Sequence, residues 1–235
     1  MPKAHKRLPS WGCLCSLFFL IAFAVIIIPT LLRPLPSARS LRDGTSLKYA
    51  HLAMTTYYRE HGGTAPSWLL TIHHGYLVPE LFYSSYSPRA PLPFHELTLG
   101  SFTIDDLFDP DTTVEELIEE ANRIVPHEPW EQLGDLLLSR EIEAVNSSDS
   151  RIVAGVMLIA AKKNHKQRVT EFVFADNRLE RIPILSPGSE NPKYVALRDA
   201  DRIARKSLGM SQPPDYAALI IAHTAEQQRL ADEGK

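Results

Sequence analysis

A run of 22 residues without a charged side chain, Trp11–Leu32, constrains this chain more than any other feature. As an α-helix it would be about 33 Å long, enough to cross the roughly 30 Å hydrocarbon core of a bilayer. The apolar core of a signal peptide is shorter, about 7 to 15 residues, so the length favours a retained anchor over a cleaved signal. Cleavage stays open as an alternative, because the small residues Ala38 and Ser40 follow the run at a suitable spacing.

The flanking charges predict an orientation for this segment. Lys3, Lys6 and Arg7 precede the run and favour a cytoplasmic N-terminus, although basic residues also follow it. We therefore expect a single-pass protein of the cell inner membrane, with the lipid bilayer as partner of residues 11–32. Residues 33–235 would then lie in the periplasm or otherwise outside the cytoplasm.

Charge and cysteine content exclude nucleic acid as a partner and cysteine-based sites from most of the chain. The chain carries a net charge of −3 and its first 32 residues +3, so residues 33–235 carry −6. Binding to nucleic acid needs clustered Lys and Arg to neutralise phosphates, so nucleic acid is not expected as a partner. Both cysteines, Cys13 and Cys15, lie in the apolar run, which leaves the rest of the chain without a disulfide or a thiolate metal site.

Periodicity and capping residues predict helices along the rest of the chain. Their approximate ranges are 46 to 61, 66 to 74, 112 to 125, 192 to 208 and 215 to 232. Thr112 and Glu115 have the spacing of a capping box, and Asn191 and Pro192 supply a cap and a first helical residue. A long loop, 84–100, separates the second helix from the third.

Alternating apolar residues predict strands before the last two helices. Residues 151–161 are apolar and rich in β-branched side chains, which is typical of a buried strand. Residues 169–175 and 179–184 alternate on either side of Asp176 and Asn177. These two runs predict a β-hairpin, because Asn tolerates the positive φ of a tight turn.

Three ordered segments resemble the bacterial prepilin-like proteins related to type II secretion pseudopilins. They are the apolar run ending in IIIPTLL, LKYAHLAMTTYYREHGGTAP from Leu47, and NHKQRVTEFVFADNRLERI from Asn164. The family has a membrane helix ending in Leu-Pro, an L-K-x-L-x-x-A-x-x-x-Y-x-x-x-x-G-x-x-P segment and a closing His-x9-Asp-Gly motif. The positions that match the last two are Leu47, Lys48, Ala53, Tyr57, Gly62 or Gly63, Pro66, Phe172, Phe174, Ala175, Asp176 and Glu180.

The chain departs from the family at two places. His165 is separated from Asp176 by ten residues, one more than in the family, and Asn177 stands where the family has Gly. The Gly-Phe-Thr-Leu-Ile-Glu signature is absent, with Leu17 in place of its glutamate. The match therefore does not include the features that the family uses for peptidase processing and filament assembly.

The resemblance and the local patterns together predict an α+β fold with an N-terminal transmembrane helix, a pilin-like helix packed on a small antiparallel sheet, and C-terminal helices. The resemblance does not extend to the C-terminal helices, which rest on local patterns alone. It also implies a signal-anchored, pseudopilin-like periplasmic domain. The expected parts are a basic tail (1–10), the transmembrane helix (11–32), a linker (33–44), the pilin-like α+β domain (45–186) and a helical extension (187–235).

The function implied by the resemblance is structural or interactive and not enzymatic, outside the cytoplasmic membrane, with other pilin-like or secretion-system proteins as partners. The alternative is a membrane-tethered or secreted enzyme, such as a hydrolase, with a site near His165 and Asp176. A third possibility is a secreted domain that loses its N-terminus. Through the resemblance, His165, Asp176 and Asn177 are the candidate motif residues.

No catalytic residue, cofactor or metal is expected. The adjacent His73 and His74 would point about 100° apart on a helix, and no His-Glu-x-x-His pattern occurs. The acidic residues between 105 and 120 lie before and within a predicted helix start, where the helix dipole favours negative charge.

Overall fold

The computed structural model describes residues 38–62, 67–89, 91–124, 128–162, 168–184 and 191–233. The chain divides into two compact units, Met1–Ala38 and Arg39–Lys235. Apart from the first residue of its first helix, every described helix and strand belongs to the second unit.

The described part of the chain contains α-helices and antiparallel strands in mixed order. The helices are α1 (Ala38–Glu60), α2 (Trp68–His73), α3 (Val114–Ile124), α4 (Ile142–Asn146), α5 (Pro192–Ser207) and α6 (Tyr216–Glu233). The strands are β1 (Thr98–Leu99), β2 (Phe102–Thr103), β3 (Trp130–Leu133), β4 (Leu136–Ser139), β5 (Val153–Met157), β6 (Ala161–Lys162), β7 (Arg168–Phe174) and β8 (Leu179–Ile184). Short 3-10 helices span Pro79–Phe82, Phe94–Glu96 and Asp106–Phe108.

The main sheet is an antiparallel meander in the order β3-β4-β5-β7-β8. Strands β5 and β6 both pair with the same edge of β7, β6 with its first residues and β5 with its last. They therefore form one interrupted strand. A separate two-stranded sheet, β1 with β2, lies in the connection between α2 and α3. The structure is therefore α+β with one five-stranded sheet, counting β5 and β6 together, and one small sheet.

Helices cover both faces of the main sheet. On one face, side chains of β4, β5 and β7 pack against α1, α2 and α3, and the sheet residues are Leu136, Leu138, Ala154, Met157 and Val173. On the other face, α5 and α6 pack on Leu137, Val153, Val156, Phe172, Phe174, Ile182 and Ile184. Apart from Ala154, each of these side chains contributes about 1.5–3 kcal/mol when fully buried. This double cover explains why β5 is buried at every position.

Helix α1 begins at Ala38, although the sequence predicts a linker over 33–44 and a helix from Ser46. Distant contacts fasten its first turns. The Asp43 carboxylate accepts hydrogen bonds from Ser84 Oγ (2.5 Å) and Ser85 N (2.8 Å). These bonds join α1 to a loop that lies about 40 residues further along, so the sequence around Asp43 does not reveal them.

Gly44 allows α1 to approach the sheet closely. A Cβ atom at this position would lie 2.5 Å from Leu179 Cδ2 and 2.6 Å from Glu171 Oε2, closer than real side chains pack. Glu171 itself pairs across the β7–β8 hairpin with Arg181, whose Nε donates to Oε1 at 2.8 Å. The lack of a side chain at Gly44 thus sets the distance between helix and sheet.

Several local predictions are confirmed. The β7–β8 hairpin forms, and Asn177 has a φ of 61° in its turn. Asn191 caps α5, accepting a hydrogen bond from Lys193 N at 2.9 Å. The capping box of α3 lies one residue later than predicted, with Thr113 and Glu116 as its members.

The predicted fold class was wrong in its transmembrane helix. Within the ranges that the structure describes, no helix is both long and apolar enough to cross a membrane. This finding also overturns the signal anchor, the membrane localisation and the single-pass inner-membrane topology expected from the sequence. The predicted span, 11–32, and the predicted domain boundary at 186 and 187 lie outside the described residues.

Candidate functional site

A cleft of about 340 Å³ opens where α1, the end of α4 and the β7–β8 turn meet. These three elements are far apart in the sequence and are brought together by the packing of α1 on the sheet. Volumes of about 300–1,000 Å³ are typical of small-molecule sites, so the cleft lies at the lower end of that range.

Helix α1 supplies one wall of the cleft. His51, Thr55 and Arg59 recur every four residues and therefore share one face of the helix, with Leu52 beside them. At 1.5 Å per residue, Arg59 lies about 12 Å from His51 along the helix axis. Thr55 Oγ1 lies 3.1 Å from the Val145 carbonyl oxygen, to which it donates, and this bond fastens the wall to α4.

His51 is almost completely buried, with 2% of its surface exposed. Burial lowers the pKa of its imidazole, and the nearby Ala175 carbonyl and the negative charge of Asp176 oppose this effect only in part. Its Nε2 lies 3.4 Å from the Ala175 carbonyl oxygen. The imidazole is therefore neutral at pH 7 and gives the cleft a polar, uncharged group.

The β7–β8 turn closes one end of the cleft with Asp176 and Asn177. Asp176 Oδ1 accepts a hydrogen bond from Arg178 N at 3.0 Å, while its Oδ2 is 3.8 Å from Arg178 Nε. The Arg178 side chain is held elsewhere, by Glu180, the Ser150 carbonyl and the face of Phe174. The Asp176 carboxylate thus keeps a negative charge at this end that Arg178 balances only weakly.

Polar groups of the cleft differ in how far they can be reached. Arg59 is exposed and forms neither an ion pair nor a hydrogen bond with the residues the structure describes. Asn177 Oδ1 also accepts no hydrogen bond from those residues, but it is fully enclosed. The Arg59 guanidinium is therefore an accessible contact for a ligand, and Asn177 Oδ1 is not.

Buried charges elsewhere stabilise the fold. Arg205 Nε donates to Asp201 Oδ1 at 2.9 Å and Arg205 Nη1 donates to Glu141 at 2.6 Å. Tyr216 OH donates to Asp201 Oδ2 at 2.8 Å, and burial raises the pKa of both Asp201 and Tyr216. Arg205 also donates to the Val153 carbonyl at 2.6 Å. This network joins α5 and α6 to β5 and leaves no group free for chemistry.

A second buried ion pair joins α2 to the β3–β4 hairpin. Glu131 Oε2 accepts hydrogen bonds from Arg140 Nε at 2.7 Å and from Trp68 N at 3.0 Å. On the same hairpin, Asp135 accepts from Ser84 N and contacts His223 Nε2, both at 2.8 Å. These contacts serve tertiary packing, because each carboxylate is used to fasten a neighbouring helix or loop.

Histidines also cluster where α1 and α2 end. The rings of His61 and His74 lie 4.8 Å apart, and Tyr57 stacks on His61 at 4.5 Å. Partial burial and the neighbouring His61 and His73 lower the pKa of His74. Across the described ranges, no group of three or more His, Cys, Asp or Glu side chains has a geometry that could hold a metal ion.

The structure places two of the three motif residues in the cleft. Asp176 and Asn177 line it, whereas His165 lies outside the described residues, so its pairing with Asp176 stays a prediction. Sequence reasoning missed His51 and Arg59. The available signal was the position of His51 beside Ala50 and Met54 on the buried face of the predicted helix.

No protein-family model, curated protein or solved structure matches this chain. The resemblance to pseudopilin-like proteins therefore stays a prediction. The chemistry of the cleft comes from its own side chains: a carboxylate on the β7–β8 turn, a guanidinium on α1, and amides, hydroxyls and a neutral imidazole around them.

Proposed function

We propose that this chain is a non-enzymatic binding protein that takes up a small polar ligand in the cleft between α1, α4 and the β7–β8 turn. The observation that carries the proposal is the convergence of these three elements on one concave site. The exposed Arg59 guanidinium lies there without a partner among the described residues. A binding role agrees with the interaction role expected from the sequence, and the cleft needs no membrane to perform it.

The arrangement around His51 favours binding over catalysis. In a nucleophile–base pair, the imidazole hydrogen-bonds to a hydroxyl or thiol and is oriented by a third group. Here the contact of His51 Nε2 is with a backbone carbonyl, and Asp176 Oδ1 accepts from the backbone of Arg178. The Thr55 hydroxyl donates to the backbone carbonyl of His51 and, among the described residues, no hydroxyl contacts its imidazole, so no activated nucleophile supports the alternative of a hydrolase.

Ligand-dependent thermal stabilisation tests the proposal. The full-length protein would be mixed with free amino acids, short peptides, monosaccharides and nucleosides in separate samples. We expect one class of compound to raise the Tm of the protein by about 5 °C when its concentration is roughly 100 times its Kd. The variant Ser148→Trp fills the cleft from an exposed position and should abolish this shift.

Ser150→Trp is the matched control, because Ser150 is exposed on the same loop but does not line the cleft. It should respond like the wild type. The absence of any stabilising class, or equal stabilisation of Ser148→Trp, would contradict a binding role at this site. Conversion of the stabilising compound, followed by mass spectrometry, would contradict the non-enzymatic part of the proposal.

A further inference from the structure

We propose that the ligand is a small monocarboxylic acid with a short apolar chain, whose carboxylate is bound by the Arg59 guanidinium. This assignment rests on the proposed function and names the ligand class of the same cleft. The apolar chain of the ligand packs on Leu52, which lies on the same face of α1 as Arg59.

The positive charge of Arg59 selects an anionic group. Arg59 is exposed at the cleft and has no ion pair or hydrogen bond with the described residues, so its N–H donors are available. A planar guanidinium can hold a carboxylate through two parallel hydrogen bonds, and such charge-assisted bonds are about twice as strong as neutral ones. A carboxylate therefore gains more from Arg59 than an amide of the same shape.

Two neutral side chains of the cleft add hydrogen-bond donors. Asn146 and Ser148 are exposed and form no hydrogen bond with the residues the structure describes. Their amide and hydroxyl can each donate to a carboxylate oxygen. The other hydroxyls of the cleft are already engaged, since Thr55 Oγ1 donates to backbone carbonyls at 2.9 and 3.1 Å and Ser147 Oγ accepts from a backbone N–H at 2.9 Å.

The carboxylate of Asp176 limits the ligand to a single negative charge. It lies in the same cleft, and its Oδ2 is 3.8 Å from Arg178 Nε, while the Arg178 side chain also pairs with Glu180. Arg59 is the only lysine or arginine among the described residues that line the cleft. A phosphate monoester carries about −1.5 to −2 at pH 7, so Asp176 would repel it more strongly than a carboxylate.

Leu52 supplies the apolar surface for the rest of the ligand. It is 46% exposed although its side chain is large and apolar. It precedes Arg59 by seven residues, which places both on one face of α1, and a long side chain on a helix leans towards the N-terminus, here towards Leu52. Val145 and Ala175 add apolar lining. A short hydrocarbon chain can therefore cover Leu52 while its carboxylate contacts Arg59.

Isothermal titration of the full-length protein with butanoate, hexanoate and the uncharged hexanamide tests the assignment. The wild type should bind hexanoate about tenfold more tightly than hexanamide, and each CH₂ added between butanoate and hexanoate should tighten binding by up to about fourfold. In the thermal experiment above, monocarboxylic acids join the other classes of compound and should be the class that raises the Tm.

Variants separate the two parts of the ligand. Arg59→Gln should bind hexanoate no more tightly than hexanamide, and Leu52→Asn should reduce the gain for each CH₂. Asp176→Asn, which keeps Oδ1 for Arg178 N, should not weaken hexanoate, because it removes a repulsive charge. Ser150→Trp should bind like the wild type.

The outcomes distinguish this assignment from the proposed function. If hexanamide binds as tightly as hexanoate, or if Arg59→Gln keeps the preference for hexanoate, the carboxylate assignment is wrong. If no monocarboxylic acid binds while Ser148→Trp blocks another class of compound, the ligand class is wrong and the proposed function stands. If Ser148→Trp blocks no compound, both are wrong.

Discussion

The guanidinium of Arg205 and the carboxylate of Asp201, four residues apart on α5, form an ion pair in which neither side chain has any exposed surface. Replacing Arg205 with Ala should lower the free energy of unfolding by about 3–5 kcal/mol, because it leaves the buried carboxylate of Asp201 without a positive charge beside it. Urea denaturation measures the effect.

Arg202→Ala is the matched control, since Arg202 is exposed on the same helix. The free energy of unfolding of Arg202→Ala should stay within about 0.5 kcal/mol of the wild-type value. A loss below about 1 kcal/mol for Arg205→Ala would mean that the network contributes little to stability.

Acidification should destabilise the protein through His51. Burial lowers the pKa of this imidazole in the folded state, so below pH 6.5 the unfolded state binds more protons than the folded state. This contribution of His51 to stability is present above the pKa that its imidazole has in the unfolded state. As the pH falls below that value, the free energy of unfolding decreases by at most about 1.4 kcal/mol per pH unit. Denaturation curves between pH 7.5 and 5.5 would show this slope.

The variant His51→Gln isolates the contribution of His51. Buried carboxyls with raised pKa values, such as Glu131 and Asp201, act in the opposite direction, so only the difference from the wild type is informative. The pH slope should become smaller in His51→Gln and stay unchanged in His95→Gln, because His95 is largely exposed. Parallel slopes for all three proteins would contradict the assignment.

The turn between β7 and β8 should tolerate Gly better than Ala at position 177. Asn177 has a φ of 61°, a conformation that costs a residue with Cβ about 1–2 kcal/mol, although Asn tolerates it best. We expect Asn177→Ala to lower the free energy of unfolding by about 1 kcal/mol and Asn177→Gly to change it little. Equal effects of the two substitutions in thermal denaturation would show that the backbone conformation is not the cause.

Gly44→Ala should destabilise the protein even though Ala favours helix by about 1 kcal/mol. The new methyl group would collide with the ends of the Leu179 and Glu171 side chains. Moving the buried Glu171 away disturbs its ion pair with Arg181, so we expect a net cost of about 1–3 kcal/mol. Gly62→Ala is the control, because the nearest atom to its Cβ would be 3.8 Å away. A gain in Tm for Gly44→Ala would show that the Leu179 and Glu171 side chains can shift without loss of stability.

The features that sequence could predict are those fixed by neighbouring residues. The hairpin turn at Asn177 and the cap at Asn191 depend on side chains acting on their own backbone, and both are confirmed. The capping box was predicted one residue early because the sequence offers two equivalent pairs, Thr112 with Glu115 and Thr113 with Glu116. In the structure, Thr112 N donates to the Asp109 carbonyl in the preceding turn, and Thr113 with Glu116 forms the box.

The features that sequence could not predict depend on distant partners. The early start of α1 rests on bonds between Asp43 and the loop at Ser84, and the His51 wall of the cleft rests on its contact with Ala175. The packing of α5 and α6 on the second face of the main sheet likewise joins residues that are far apart in the sequence. Asp176 lines the cleft, and the groups from α1 that share it are more than 100 residues away in the sequence.

The meander topology of the main sheet has a consequence for folding kinetics. Its strands pair with their neighbours along the chain, so the loops that must close are short and the sheet can form early. His51 and Ala175, by contrast, are 124 positions apart, and their contact requires a much longer loop to close. We therefore expect α1 to dock last, which means that a newly made chain acquires its core sheet before it acquires its cleft.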